Sequence, residues 1–250
     1  MYRLNCDFPF LRLISLPKDT YCPKKVIYLH RQMSYFRLKP IHLIMTISSL
    51  SQLLRSAFLA GVCIGIAGFG YLAEKSIVGA VLFAFGLLTV VHYSLKLYTG
   101  TAGFIRKGEV GDLLLILIGN IIGCLAVALI ARCSPMPLQA TAQGVLEGRL
   151  AVGPLKGGVL AIGCGFIMTT AVTFARQGKN LPLLFGVPLF IMCGFPHCIA
   201  DAFYYLCVPL DFWAAHLGEI LLFYLAIVLG NFIGCNLYRA VLPPSDEPPF

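Results

Sequence analysis

The chain has 250 residues, 58% of them hydrophobic and only 12% charged, with a mean hydropathy of +0.84. A soluble domain carries about a quarter charged residues, so a fully water-exposed surface is excluded. The formal charge of +8 does not point to nucleic acid either, because residues 1–44 hold +6 of it and offer no folded basic face.

Residues 1–44 lack the compact apolar region and small-residue cleavage site of a signal peptide. They read as a basic cytoplasmic extension without a core of its own, or as translation from an upstream start codon ahead of Met45. Helices of about 17–25 mainly apolar residues can cross a bilayer. Six such runs follow, over about Leu53–Leu72, Ile77–Tyr98, Leu113–Arg132, Gly157–Ala175, Leu183–Leu206 and His216–Ala240. Segments of about ten alternating residues, the mark of an outer-membrane barrel, are absent. A short proline-rich tail, 243–250, closes the chain. The expected domain is therefore a six-helix transmembrane unit over 45–242. By the positive-inside rule, the basic extension, Arg106, Lys107, Arg176, Lys179 and Arg239 place both termini in the cytoplasm of a plasma-membrane protein.

A six-residue pattern occurs twice inside these runs, as Gly119-Asn120-Ile121-Ile122-Gly123-Cys124 and Gly230-Asn231-Phe232-Ile233-Gly234-Cys235. Each copy follows a run interrupted by polar or helix-breaking residues, Tyr98-Thr99-Gly100-Thr101 in the first and Gly194-Phe195-Pro196-His197 in the second. Duplicated units with broken helices mark transporters and channels. Three spans per unit, an odd number, require the second unit to be inverted, which places a pore at mid-membrane.

Pro196 disfavours helix at Phe195 and suits a helix start. A half-helix from Pro196 through Tyr205 is expected, its positive end at mid-membrane and His197 in its first turn. An ionisable residue at that depth is a functional-site candidate; the alternative is a histidine that only braces the kink. Thr99 and Thr101 are hydroxyl donors for an anion or for His197, or else belong to a plain loop. The Gly-x-x-x-Gly frames around Asn120 and Asn231 favour close helix packing, so each amide is either a packing element or a pore-facing donor. Asp201, one turn after His197, either pairs with it or lies at the outer mouth, where an acid would oppose anions. The cysteines sit mostly inside apolar runs, and no pattern has zinc spacing. No metal or cofactor is expected.

These motifs resemble the formate/nitrite transporter family over about residues 53–242. The family's first-loop motif matches Leu97-Tyr98-Thr99-Gly100, its second-break motif matches Gly194 through Asp201, and its closing motif matches Gly230–Gly234. The resemblance implies an aquaporin-like protomer in a homopentamer, with His197 as the central pore histidine and Thr99 its partner. It places Phe83, Leu87, Leu97, Tyr98, Met168 and Phe190 at apolar constrictions, where ordinary core packing is the alternative. It puts Arg149 where a vestibule lysine often stands, as an attractor of anions. Three positions depart from the family: Pro196 for glutamate, Asp201 for asparagine, and Gly165 for a pore-facing asparagine. The implied function is passage of small monovalent weak-acid anions (formate, nitrite, hydrosulfide or short carboxylates), passive or proton-coupled. A histidine whose ordinary pKa is about 6.5 suits proton transfer. A neutral-solute pore for water, glycerol or ammonia competes. An intramembrane enzyme is disfavoured, because no placed serine nucleophile accompanies His197 and Asp201.

Overall fold

The computed structural model describes residues 25–106 and 108–242, with side chains from residue 49 onward. The chain divides into two compact units, 1–48 and 49–250. Everything below concerns the second, apart from the first helix, α1 (Lys25–Ala73), whose backbone is helical back into the stretch expected to be an unstructured extension.

Among the described residues the architecture is entirely helical. Four segments are long and apolar enough to cross a membrane: Ser49–Ala73 of α1, α4 (Val110–Ala131), α6 (Pro154–Arg176) and α9 (Leu210–Cys235). Their outward faces are apolar, as in α4, where Leu114, Ile118, Ile122, Leu125 and Leu129 recur at helical spacing and are all exposed. Apolar patches of that extent mark surfaces covered by lipid or by other subunits. This is a multi-pass membrane protein. The expected start of the last span, His216, coincides with a kink inside α9, where φ is −123° and ψ 18°; a short α10 (Leu237–Val241) follows.

Between these spans lie two pairs of shorter helices. α2 (Ile77–His92) is followed after a gap by α3 (Tyr98–Ala102), and α7 (Leu181–Met192) by α8 (Cys198–Cys207). The two gaps have the same backbone. Leu95 N–H donates to the Val90 carbonyl and Phe195 N–H to that of Phe190, each at 2.9 Å. The residue before each donor is left-handed, Ser94 at φ 52° and Gly194 at φ 69°. This six-to-one bond with a left-handed residue is the Schellman ending of a helix. Both helices therefore stop at the same place, 100 residues apart, and Pro196 follows a helix that has already ended.

This corrects two sequence expectations. The segment equivalent to Gly194–His197 is Ser94–Leu97, not Tyr98–Thr101, which instead forms most of α3. The second half-helix begins at Cys198 rather than Pro196, because His197 is extended (φ −112°, ψ 114°) and caps it. A further helix, α5 (Leu138–Val152), fills what reads in the sequence as a connection; Leu138, Ala142 and Leu146 form its buried stripe.

The helices meet at glycine contacts that also recur. A methyl group on Gly61 of α1 would collide with the Asn120 carbonyl of α4, and one on Gly165 of α6 with the Asn231 carbonyl of α9. Gly123 and Gly234 face the Phe58 and Ile162 carbonyls in the same way. Small residues let helix backbones approach this closely. Gly165 accordingly sits in the α6–α9 contact, where no asparagine side chain fits, so its difference from the family is one of helix packing rather than of a missing pore amide.

Candidate functional site

The two breaks are held by the two duplicated asparagines. Asn120 Oδ1 accepts the Tyr98 N–H at 2.9 Å, while its Nδ2 donates to the Ala57 and Lys96 carbonyls at 2.8 and 2.9 Å. Asn231 Oδ1 accepts the Cys198 N–H at 2.8 Å, and its Nδ2 donates to the Ala161 and Pro196 carbonyls at 2.9 and 3.0 Å. Each amide thus satisfies the first N–H of a half-helix and one carbonyl that the break exposes, and ties both to a carbonyl of a neighbouring helix, Ala57 of α1 or Ala161 of α6. Left unpaired, each buried backbone group would cost about 1–3 kcal/mol. Both side chains are fully buried and fully bonded, which assigns them to the clamp rather than to a pathway.

The cysteine that closes each copy of the duplicated pattern also reaches the half-helix held by the other copy. Cys124 Sγ donates to the Ile199 carbonyl at 3.5 Å, and Cys235 Sγ to that of Thr99 at 3.4 Å. With only five residues, α3 cannot satisfy its own last carbonyls. Arg176 Nη2 bonds Gly100, Asn236 Nδ2 bonds Ala102, and Arg239 Nη1 bonds Ile105 just beyond.

On this frame His197 and Thr99 come together. Thr99 Oγ1 lies 2.9 Å from His197 Nε2, and both residues are buried. The other ring nitrogen, Nδ1, accepts the Ala200 N–H at 3.2 Å. A nitrogen that accepts a hydrogen bond carries no proton, so Nε2 holds it and donates to Thr99. A second proton on Nδ1 would face the Ala200 N–H, donor against donor. The ring stacks on Phe190 at a centroid distance of 5.6 Å, and Phe190 meets Phe83 edge-on at 6.2 Å. Leu87, Leu97, Tyr98 and Met168 are buried in the same core, and the Tyr98 hydroxyl donates to the Val228 carbonyl at 3.3 Å.

Asp201 does not touch the imidazole. Its Oδ2 accepts the backbone N–H of His197 at 2.9 Å, and its Oδ1 accepts Arg149 Nε at 2.8 Å and the Tyr205 hydroxyl at 3.2 Å. Arg149 Nη1 donates to the Gly194 carbonyl at 2.6 Å. Arg149 is therefore a strut between α5 and both ends of the second break, paired with the carboxylate that the sequence made look out of place. Arg149, expected to attract anions, here faces a carboxylate at 2.8 Å. With the Cys198, Ala200 and His197 N–H groups all taken by side chains, the start of α8 is likewise no open array of donors for an anion.

On the other side of the core, an open cavity of about 480 Å³ leads to Leu87 and Leu97. Lys96, Arg106, Glu109 and Arg176 line it. Thr101 lines this cavity too, away from His197. Among the described residues, no group of three metal-ligating side chains converges.

Membrane-spanning helices, two clamped breaks and a buried polar pair packed among apolar side chains are the features of a membrane transport protein. A family model of formate/nitrite transporters matches residues 44–243, and the chain belongs to that family, whose members are channels and transporters rather than enzymes. It is 29% identical over 194 residues to YrhG, an uncharacterised transporter of Bacillus subtilis (strain 168), covering 66% of this chain and 72% of that one. Its fold is similar to a pentameric formate channel solved with formate bound, with a TM-score of 0.64 and 22% identity over 77% of this chain and 95% of the other. A second structure, an FNT family ion channel, has a TM-score of 0.63 and 20% identity, covering 80% and 93%.

Proposed function

We propose that the chain conducts small monovalent weak-acid anions, of the class of formate, nitrite, hydrosulfide or short carboxylates, past His197 and Thr99. The observation that carries this reading is the 2.9 Å bond between Thr99 Oγ1 and His197 Nε2, set between apolar rings and joining the two breaks. A bare anion in such a constriction faces a large desolvation cost. The anion therefore crosses as its neutral acid, taking its proton from water at the mouth rather than from His197, whose Nδ1 is occupied by the Ala200 N–H. The Nε2–H, together with the Thr99 hydroxyl hydrogen that this tautomer leaves unused, donates to the passing oxygen or sulfur. Phe83, Phe190, Leu87, Leu97, Tyr98 and Met168 form the constrictions that exclude hydrated ions. Transport is passive or proton-coupled.

In this reading α2 with α3 and α7 with α8 each make one broken span. The six spans then form two inverted three-span units of an aquaporin-like protomer, over 45–242. The duplicated Schellman endings, asparagine clamps and glycine contacts support it. Five such protomers assemble, as in the pentameric formate channel of like fold. Both termini are cytoplasmic in the plasma membrane, with 1–44 and 243–250 outside the conducting unit.

Stopped-flow uptake into proteoliposomes loaded with a pH dye tests the proposal. Formate, nitrite, hydrosulfide, lactate and glycerol are compared at two external pH values. Anion-dependent uptake that accelerates at the lower pH supports the reading and identifies the substrate. Glycerol uptake alone, or anion uptake indifferent to pH, overturns it.

A further inference from the structure

The two sides of the His197 core carry arginines in opposite electrostatic circumstances. Arg149 meets a carboxylate, Asp201 Oδ1, at 2.8 Å. Among the described residues, Arg176 meets only a carbonyl, that of Gly100, and the face of the Phe104 ring at 3.9 Å. A carbonyl and a ring face orient a guanidinium but leave its charge uncancelled, whereas a carboxylate cancels it. Around Arg176 the mouth adds Lys96 and Arg106 against a single acid, Glu109, which accepts the Arg106 backbone N–H at 2.8 Å. Three cations thus line that mouth against one carboxylate. On the α5 side of the core, where the conduction reading puts the other mouth, Asp201 is buried and the Arg149 side chain is 19% exposed.

We propose that the two mouths capture the substrate anion by different means. The mouth of Lys96, Arg106 and Arg176 concentrates small anions by net positive charge. The mouth of Arg149 is charge-balanced by Asp201 and admits substrate without electrostatic gain. Asp201 is thus the residue that sets specificity at that mouth, since it silences the cation beside the route to His197. The inference rests on the weak-acid conduction proposed above.

Long-range attraction to fixed charge weakens with salt, the Debye length falling from about 30 Å at 0.01 M to about 3 Å at 1 M. The apparent KM for the anion should therefore depend on salt at one membrane face only. Intact cells present one mouth, and inverted vesicles from the same cells present the other. The probe is the anion giving the fastest flux, with ionic strength raised by an impermeant salt. In the unaltered protein, KM at one face should rise at least about threefold over that range, an effect within the scope of electrostatic steering, while KM at the other stays constant. Asp201→Asn should lower KM at the constant face in low salt and make it salt-dependent. Arg149→Gln, which leaves the carboxylate unpaired, should raise KM at that face in low salt, with added salt reversing the change. Arg176→Gln should weaken the salt dependence of the other face alone. Equal salt dependence at both faces of the unaltered protein overturns the inference with no variant needed. So does an Asp201→Asn protein whose constant face stays constant. Absence of any anion flux in the unaltered protein counts instead against the conduction reading.

Discussion

The first break, 93–97, and the second, 193–197, share a backbone and differ in nearly every side chain that matters for chemistry. Ser94 and Gly194 take the same left-handed turn; Asn120 and Asn231 make the same three bonds. Yet the residue capping the first half-helix is Leu97, and the one capping the second is His197. One position after the start of each half-helix stand Thr99 and Ile199. The polar pair is therefore made once, from the histidine of one copy and the threonine of the other. The duplicated pattern provides the scaffold, and the one donor pair joins one copy to the other. The strut of Arg149 serves only the second break, where α8 carries the histidine.

If the two clamps are equivalent, Asn120→Ala and Asn231→Ala should lose about the same stability. Each leaves two backbone groups of its break without partners, worth about 2 kcal/mol or more in total. Thermal unfolding in detergent reads this, and a large loss in one with little in the other would break the equivalence. Next in size, Gly61→Ala and Gly165→Ala each drive a methyl group into a carbonyl of the facing helix. Each should cost about 1–3 kcal/mol by overpacking. An unchanged melting temperature for Gly165→Ala would reopen that position as a pathway residue. The smallest effects should have opposite signs at the two turns. Ser94→Gly relieves a left-handed non-glycine residue and should stabilise by about 1 kcal/mol, while Gly194→Ala should destabilise by a similar amount. Matching signs would mean that the two turns are not the same structure.

Much of this was legible in the sequence, and the remainder was hidden for identifiable reasons. Four of the six apolar runs survive as spans, and the Gly-Asn-x-x-Gly-Cys duplication survives as the clamps, because helix packing at backbone distance demands glycine and the break demands an amide. The pairing of the two breaks was misread because Ser94-Leu95-Lys96-Leu97 contains no glycine or proline. A serine in a left-handed turn looks like any other serine. Proline at 196 drew attention two residues past the turn that ends α7 and two before the start of α8. The Arg149–Asp201 pair joins residues 52 apart, a distance to which no local spacing rule applies. The only hint was a lone acid, Asp201, in an otherwise apolar run. α5 was missed because its buried stripe, one residue in four, is too thin to register as a span.

The central claim is that His197 and Thr99 act as one donor pair across the two breaks. A double-mutant cycle on anion flux, with His197→Phe, Thr99→Val and the combination in proteoliposomes of matched protein content, tests it most directly. The account predicts that each single change lowers flux at least about tenfold, in keeping with the roughly 1–3 kcal/mol lost when a hydrogen-bond donor is removed. It also predicts that the combination is no worse than the more severe single change. Independent, multiplying losses, or full flux in His197→Phe, would contradict it.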